Sequence, residues 1–365
     1  MNEQIRNQYH PDFVSPPGDT LEEILESRGM SQAEFAERTG RPKKTINEII
    51  RGKSAITPDT ALQFERVLDI PASFWIAREQ NYREALARTR QASFLQQEAD
   101  WLEQIPYRAM AKLGWISAHR DRSRQLDEVL KFFAVASPAS WETFWSASVP
   151  AFRQSQAFKT EPGAIAAWLR KGEIETAKQE CAEYSAGAFK AALARIRALT
   201  RDLPRNFPAV MTRECNSAGV CLAFVPELPG TRVWGATRWL SAARPLIQLS
   251  LRYKTDDHLW FTFFHEAGHI LLHSRKDVFL EDDQRQQVGK ESEADEFARN
   301  SLIPADRYRA FCRLSAYTCA AASRFAHELG IAPGIVVGRL QHDNHLRRYE
   351  CNELKKTVDW VFNEE

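Results

Sequence analysis

The chain has 365 residues, 44% hydrophobic and 27% charged, and its 49 Lys+Arg against 48 Asp+Glu give a formal net charge of +1. That length exceeds one ordinary core and implies two or three globular domains. The balanced charge excludes nucleic-acid binding through overall charge and leaves only local patches for it. No run reaches 18 apolar residues and the N-terminus lacks a basic-plus-apolar signal pattern, so no membrane contact and a cytoplasmic location are expected. Cys181, Cys215, Cys221, Cys312, Cys319 and Cys351 include no C-x-x-C pair, which points to reduced thiols rather than disulfides.

Residues 1–18 are polar, close with Ser15-Pro-Pro-Gly18, and read as an N-terminal arm. Asp19 or Thr20 can cap a helix through Leu21, Ile24 and Leu25 that stops at Gly29. Ser31 is the next N-cap, and Glu34 three residues on completes a capping box. That helix turns Phe35 and Ala36 inward and ends at Gly40. Pro42 then opens a third helix, Lys43 to Arg51, stopped by Gly52. Thr57-Pro-Asp-Thr60 starts a further helix with Leu62, Phe64, Val67 and Leu68 on its inner side.

Helix, tight turn, helix is the arrangement in which the second member enters the major groove. Lys43, Lys44 and Thr45 begin that member and can reach base edges, as can Asn47. Gln32, Arg41, Arg51 and Lys53 are placed for phosphate, which sets register without reading sequence. Arg28 to Lys53 holds seven basic and three acidic side chains, a positive patch in a neutral chain. A helical hairpin with a merely solvated basic face would show the same pattern. The stretch from about 16 to 83, including Met30-Ser-Gln-Ala-Glu-Phe-Ala, Lys44-Thr-Ile-Asn-Glu-Ile-Ile-Arg-Gly-Lys and Ile56-Thr-Pro-Asp-Thr-Ala-Leu, resembles the Xre/Cro family, and within it the HigA-type antitoxin regulators. The resemblance implies binding to double-stranded operator DNA as a homodimer. Arg41-Pro42 stands where many members carry a small residue and Ser, so no base preference is carried over.

Pro71-Ala-Ser73 restarts a helix whose spacing continues past Trp101, giving one long connector that ends before Pro106. Pro106 to about Pro204 reads as short amphipathic helices, with clusters such as Val129-Leu-Lys-Phe-Phe133 and Ile165-Ala-Ala-Trp-Leu169. Core packing accounts for these aromatics; a sensor or partner-recognition domain is the sharper alternative.

From about Arg205 the pattern changes. Ala218–Pro226, Thr231–Trp239 and Pro245–Tyr253 read as strands, with Pro229-Gly230 as a turn. Gly235-Ala236-Thr237 is the candidate exposed edge for an extended peptide. Asp256 or Asp257 can cap the helix carrying His265-Glu266-Ala-Gly-His269. Two His at i and i+4 share a helix face and can reach one tetrahedral Zn²⁺. Glu266 then sits beside the metal as a general base. Glu291 and Asp295 share a face of a second helix. Glu291 is the expected third ligand and Asp295 the partner of a ligand's free ring nitrogen. Glu293 points away from that face, and His273 lies too far along a straight helix from His265 to share a metal, since eight residues rise about 12 Å, and is expected in packing or behind a ligand. Arg252, Tyr253 and His258 are all near enough in sequence to stabilise an oxyanion. Asp277–Lys290 reads as a loop over the site. A solvated acidic helix and a buried helix with structural histidines are the plain alternatives.

Phe263-Phe-His-Glu-Ala-Gly-His-Ile-Leu-Leu-His273, Glu291-Ser-Glu-Ala-Asp-Glu-Phe-Ala298, Ser301-Leu-Ile-Pro304 and Gly330–Leu340 together resemble the ImmA/IrrE family of zinc metallopeptidases. The resemblance implies cleavage of a regulatory protein, commonly a partner repressor. The expectation is therefore a multidomain chain: an N-terminal arm (1–18), an all-α helix-turn-helix domain (19–83), a helical linker or middle region (84–204) and an α+β zincin-like domain (205–365). It would bind operator DNA and a regulatory substrate or cognate toxin. A non-enzymatic antitoxin or repressor with a sensing or structural metal module is the rival, and self-cleavage in a linker such as 95–110 a third course.

Overall fold

In the computed structural model, which describes residues 15–147, 162–250, 252, 254–275, 279–282, 289–313 and 317–358, the first helix α1 (Pro17–Ser27) begins before the expected Asp19 cap. Proline at its first position has no N–H to lose there and already holds the helical φ. Ser31 Oγ accepts the Glu34 N–H (3.1 Å) to start α2 (Gln32–Thr39), and Gly40, at φ +67°, ends it. Pro42 precedes rather than opens α3 (Lys43–Ile50), and Thr57 caps α4 (Pro58–Leu68). The connector α5 (Ala72–Gln97) gives way to a 3-10 segment, Ala99–Gln104.

The chain divides into two compact units, Met1–Ala99 and Asp100–Glu365. In the first, Leu21, Phe35, Ile46, Phe64 and Leu68 make the core and are closed by Trp75 of α5, edge-on to Phe64 at 5.4 Å. The buried Glu79 of α5 accepts the Ile56 N–H (3.1 Å) and pairs with Arg83 (2.6 Å), so the helix fastens the loop leaving α3. Residues 1–14 of the expected arm lie outside the described residues.

The second unit opens with α6 (Tyr107–Lys112), α7 (Arg122–Phe133), α8 (Pro138–Ala147), α9 (Pro162–Ala177), α10 (Ala186–Leu199) and α11 (Phe207–Ser217). β1 (Cys221–Phe224), β2 (Val233–Ser241) and β3 (Arg244–Leu249) lead into α12 (Asp256–Leu272). β4 (Phe279–Asp282), α13 (Lys290–Leu302), α14 (Ala305–Cys312), α15 (Cys319–Leu329) and α16 (Pro333–His342) follow. Among the described residues the sheet order is β1-β3-β2-β4, with β1 parallel to β3 and the other pairs antiparallel. Alternation along β2 separates its faces. Thr237 on one face donates to the Glu266 carbonyl of α12 (3.0 Å), while Arg238 on the other bridges Glu173 of α9 (2.7 Å). The sheet is thus held between α9 and α12.

Residues 100–204 lie in the same compact unit as the strands and the His-Glu helix. Trp168 of α9 donates to the Val225 carbonyl (3.0 Å), and Gln248 of β3 donates to the Trp168 carbonyl (2.6 Å). Arg197 of α10 donates to the Leu302 carbonyl (2.8 Å) at the end of α13. Many of the aromatics of 106–204 are thus core.

Two further expectations change. Gly235-Ala236-Thr237 is not an edge: β4 covers it, pairing Glu281, Leu280 and Phe279 with those three residues. Nor are all thiols reduced, since Cys319 and Cys351 form a disulfide with Cα atoms 5.3 Å apart. Spacing could not reveal it, because the partners are 32 residues apart and meet only when the tail returns to α15. That tail continues to α12, where Val358 donates to the Lys254 carbonyl (2.8 Å) and Lys355 pairs with Asp257 (2.7 Å). The other four cysteines are free thiols.

Candidate metal centre and helix-turn-helix surface

Small residues let α12 and α13 approach closely. A Cβ on Gly268 would stand 3.2 Å from the Ala294 Cα and 3.1 Å from the Phe297 ring, so a larger side chain would push the helices apart. At this separation His265, His269 and Glu291 each offer a ligand atom within 4.8 Å of the others. The imidazole Nε2 atoms are 2.9 Å apart, and Glu291 lies 3.2 Å from His265 Nε2 and 3.6 Å from His269 Nε2. A tetrahedral zinc with bonds of about 2.1 Å sets its ligand atoms roughly 3.4 Å apart. The trio fits that spacing. A second grouping, Cys319, Cys351 and Glu353, fits poorly because its sulfurs are bonded to one another.

The outer nitrogens are held as well. Asp295 stands 2.9 Å from His265 Nδ1, buried with it. His273 ends the helix in extended backbone and turns back, so its Nδ1 lies 2.9 Å from His269 Nδ1 and its Nε2 3.1 Å from Glu293. Glu293 is thus drawn to His273. Burial holds the His269 imidazole neutral, lowered to about 4 against the pull of Glu291. Burial alone would raise the Glu291 carboxyl, but its hydrogen bonds to His265 and His269 prevail and keep it well below the carboxylate range. Neutral imidazole and ionised carboxylate are the states a metal requires.

Glu266 is wholly buried beside this trio. A Cβ on Gly235 of β2 would meet its Oε1 at 2.5 Å, so the strand backbone lies directly against the carboxylate, and a larger residue there would require the Glu266 and Thr262 side chains to shift. His258, Thr262 and Glu266 follow at i, i+4 and i+8 along one face of α12. His258 shares a small cavity with Trp234, Arg252 and Thr262, and Arg252 reaches Glu227 at 3.8 Å. Tyr253 lies outside the described residues, as do 277–278 and 283–288 of the expected loop; its remaining residues include β4.

In the first unit Lys43 and Lys44 are exposed at the start of α3, Lys44 3.8 Å from Glu48, and Thr45 is half-buried beside them. Asn47 reaches Gln32 at 3.5 Å, joining α3 to α2. Arg51 and Lys53 are exposed beyond α3, while Arg41 donates to Gln63 of α4 at 2.6 Å. Sequence reasoning placed Gly235 only on an exposed edge and missed its contact with Glu266, as well as Gly268 and Phe279; the glycines had a signal only in sitting inside a strand and a helix, where glycine otherwise costs stability.

Residues 21–75 match the helix-turn-helix family and residues 228–341 the peptidase family described as the IrrE N-terminal-like domain. The chain therefore joins an Xre-like helix-turn-helix domain to an IrrE-like domain of a peptidase family. Among curated proteins it is similar to virulence-associated protein A of Dichelobacter nodosus, 35% identical over 65 residues, which is 18% of this chain and 62% of that protein. The chain thus spans less than two thirds of this relative. Among solved structures it is similar to an addiction module antidote protein of a HigA family from Coxiella burnetii, with 26% identity and a TM-score of 0.22, covering 23% of this chain and 94% of that one.

Proposed function

We propose that this chain is an operator-binding, antitoxin-like regulator whose second unit is a zinc-dependent endopeptidase acting on a regulatory partner protein. The observation that carries it is the convergence of His265, His269 and Glu291 within 4.8 Å, beside a buried glutamate one residue after the first His. The peptidase-family match over 228–341 supports the same class. Zinc bound there supplies the Lewis acidity that acidifies a water and polarises a carbonyl. Glu266 accepts the proton of the attacking water and passes it to the departing amine. Asp295 and His273 orient the two imidazoles from behind. In the first unit, Lys43, Lys44, Thr45 and Asn47 meet base edges while Gln32, Arg41, Arg51 and Lys53 hold phosphates, and a homodimer engages the operator.

A second reading has its own support. His265 and Glu266 are 0% exposed and His269 only 2%, as in a centre that senses or braces rather than cleaves. The Glu266→Gln variant separates the two. In the peptidase reading it keeps about one zinc per chain and loses cleavage of the partner, or of an unfolded protein such as casein. Equal cleavage by the variant and the parent would sink the mechanism. Zinc binding with cleavage by neither would favour the sensing module.

A further inference from the structure

The helix carrying His265 and His269 lies along β2, joined to it by Thr237 and the Glu266 carbonyl and by the close approach of Gly235. A peptide added to the outer side of β2 would run past the metal centre, in the way extended segments add to sheet edges. The chain fills that place itself. β4 pairs antiparallel with β2 through Val233↔Asp282, Gly235↔Glu281, Ala236↔Leu280 and Thr237↔Phe279. Opposed residues in such a ladder share a face, so Phe279 falls on the face of Thr237, toward α12. Its ring stacks on the His269 imidazole, centroids 3.7 Å apart and planes 15° apart, with His273 5.1 Å away.

Reaction at a peptide bond needs the reacting atoms within about 3–3.5 Å. With His265 and Glu266 fully buried and Phe279 laid over His269, that distance is out of reach for a substrate. The cover is nonetheless slight, a strand of four residues at the end of the sheet. Each of its ladder bonds is worth only about 0.5–1.5 kcal/mol, and short edge strands open locally far below the cost of unfolding a unit.

We infer that β4 is an internal occupant of the substrate seat. Phe279–Asp282 holds the outer edge of β2, caps His269 with an aromatic ring, and is displaced when an extended peptide replaces it. The incoming segment presents a large apolar side chain where Phe279 now lies. This rests on the peptidase reading, and its test is built to separate the two.

The probe is acetyl-Phe-Leu-hydroxamate, a dipeptide with a zinc-chelating end, titrated into the zinc-loaded full chain. Phe279→Ala removes the cap without touching the backbone, and Glu281→Pro, opposite Gly235, removes a ladder donor. Both variants are expected to keep one zinc per chain, bind the probe at least tenfold more tightly than the parent, and cleave casein at least tenfold faster. In the parent, saturating probe should speed hydrogen exchange of the β4 amides. Equal or weaker probe binding by Phe279→Ala, or greater β4 protection in the parent with probe, would overturn the proposal whatever the cleavage rates. Tighter binding by the variants with no cleavage by any form would leave β4 as the occupant and remove the peptidase reading instead. Should Glu281→Pro lose its zinc, Phe279→Ala and the exchange measurement on the parent decide.

Discussion

Asp295 shows how much of the proposed metal site lies behind its candidate ligands. It is 1% exposed and 2.9 Å from His265 Nδ1, so the carboxylate fixes both the ring's tautomer and its direction toward the centre. Replacing it with Ala should lower zinc affinity by roughly 10–100-fold, read by competition with a chelator of known affinity. His273→Ala, removing the partner of His269, should act in the same direction. Undiminished affinity in Asp295→Ala would mean that packing alone orients His265. The candidate ligand pair was legible in sequence because i, i+4 spacing and helical apolar flanks travel together. For His273 the spacing left only packing or a place behind the ligands, because its contact with His269 depends on the backbone leaving the helix at that residue and turning it back.

At the scale of elements, α3 is set by local signals: a glycine turn before it, Ile46, Ile49 and Ile50 buried on one side, and Lys43 and Lys44 exposed at its start. Replacing both lysines with Ala should abolish preference for the operator over unrelated DNA. It should also flatten the dependence of log K on log salt by up to about two phosphate equivalents. Titration against both DNAs at two salt concentrations measures each effect, and retained preference would assign the base contacts elsewhere. The strand β4 is of the other kind. Phe279-Leu-Glu-Asp282 has little strand character by itself, and only the outer edge of β2 gives it a ladder.

At the scale of the molecule, the tail and α16 brace the start of α12 through buried acids. Glycine at 334 and 338 lets α16 come directly against the Asp256 and Asp257 carboxylates. Burial pushes the Asp256 carboxyl up to about 6, partly opposed by N–H donation from Lys356 and Asp257 and reinforced by the Asp257 charge. A carboxyl raised in the folded state stabilises most below its unfolded value near 3.8, and that contribution is lost as pH rises through about 6. Between pH 7 and pH 5 the parent should therefore gain about 1 kcal/mol relative to Asp256→Asn, from the 1.36 kcal/mol per unit of linkage. Denaturant unfolding of both proteins at the two pH values checks the sign; a gap that stays constant would show that Asp256 titrates normally.

The sequence by itself determined the two domain types, the capped helices of the helix-turn-helix unit, and the pattern that singles out His265, His269 and Glu291. These depend on local periodicity, caps and short spacings, which hold wherever the chain goes. Tertiary structure alone decided what meets across long separations: Cys319 with Cys351, Asp257 with Lys355, the 100–204 helices with the sheet, and Phe279 over His269. Such contacts rest on shape and on which buried polar groups find partners after packing, and no local pattern encodes them.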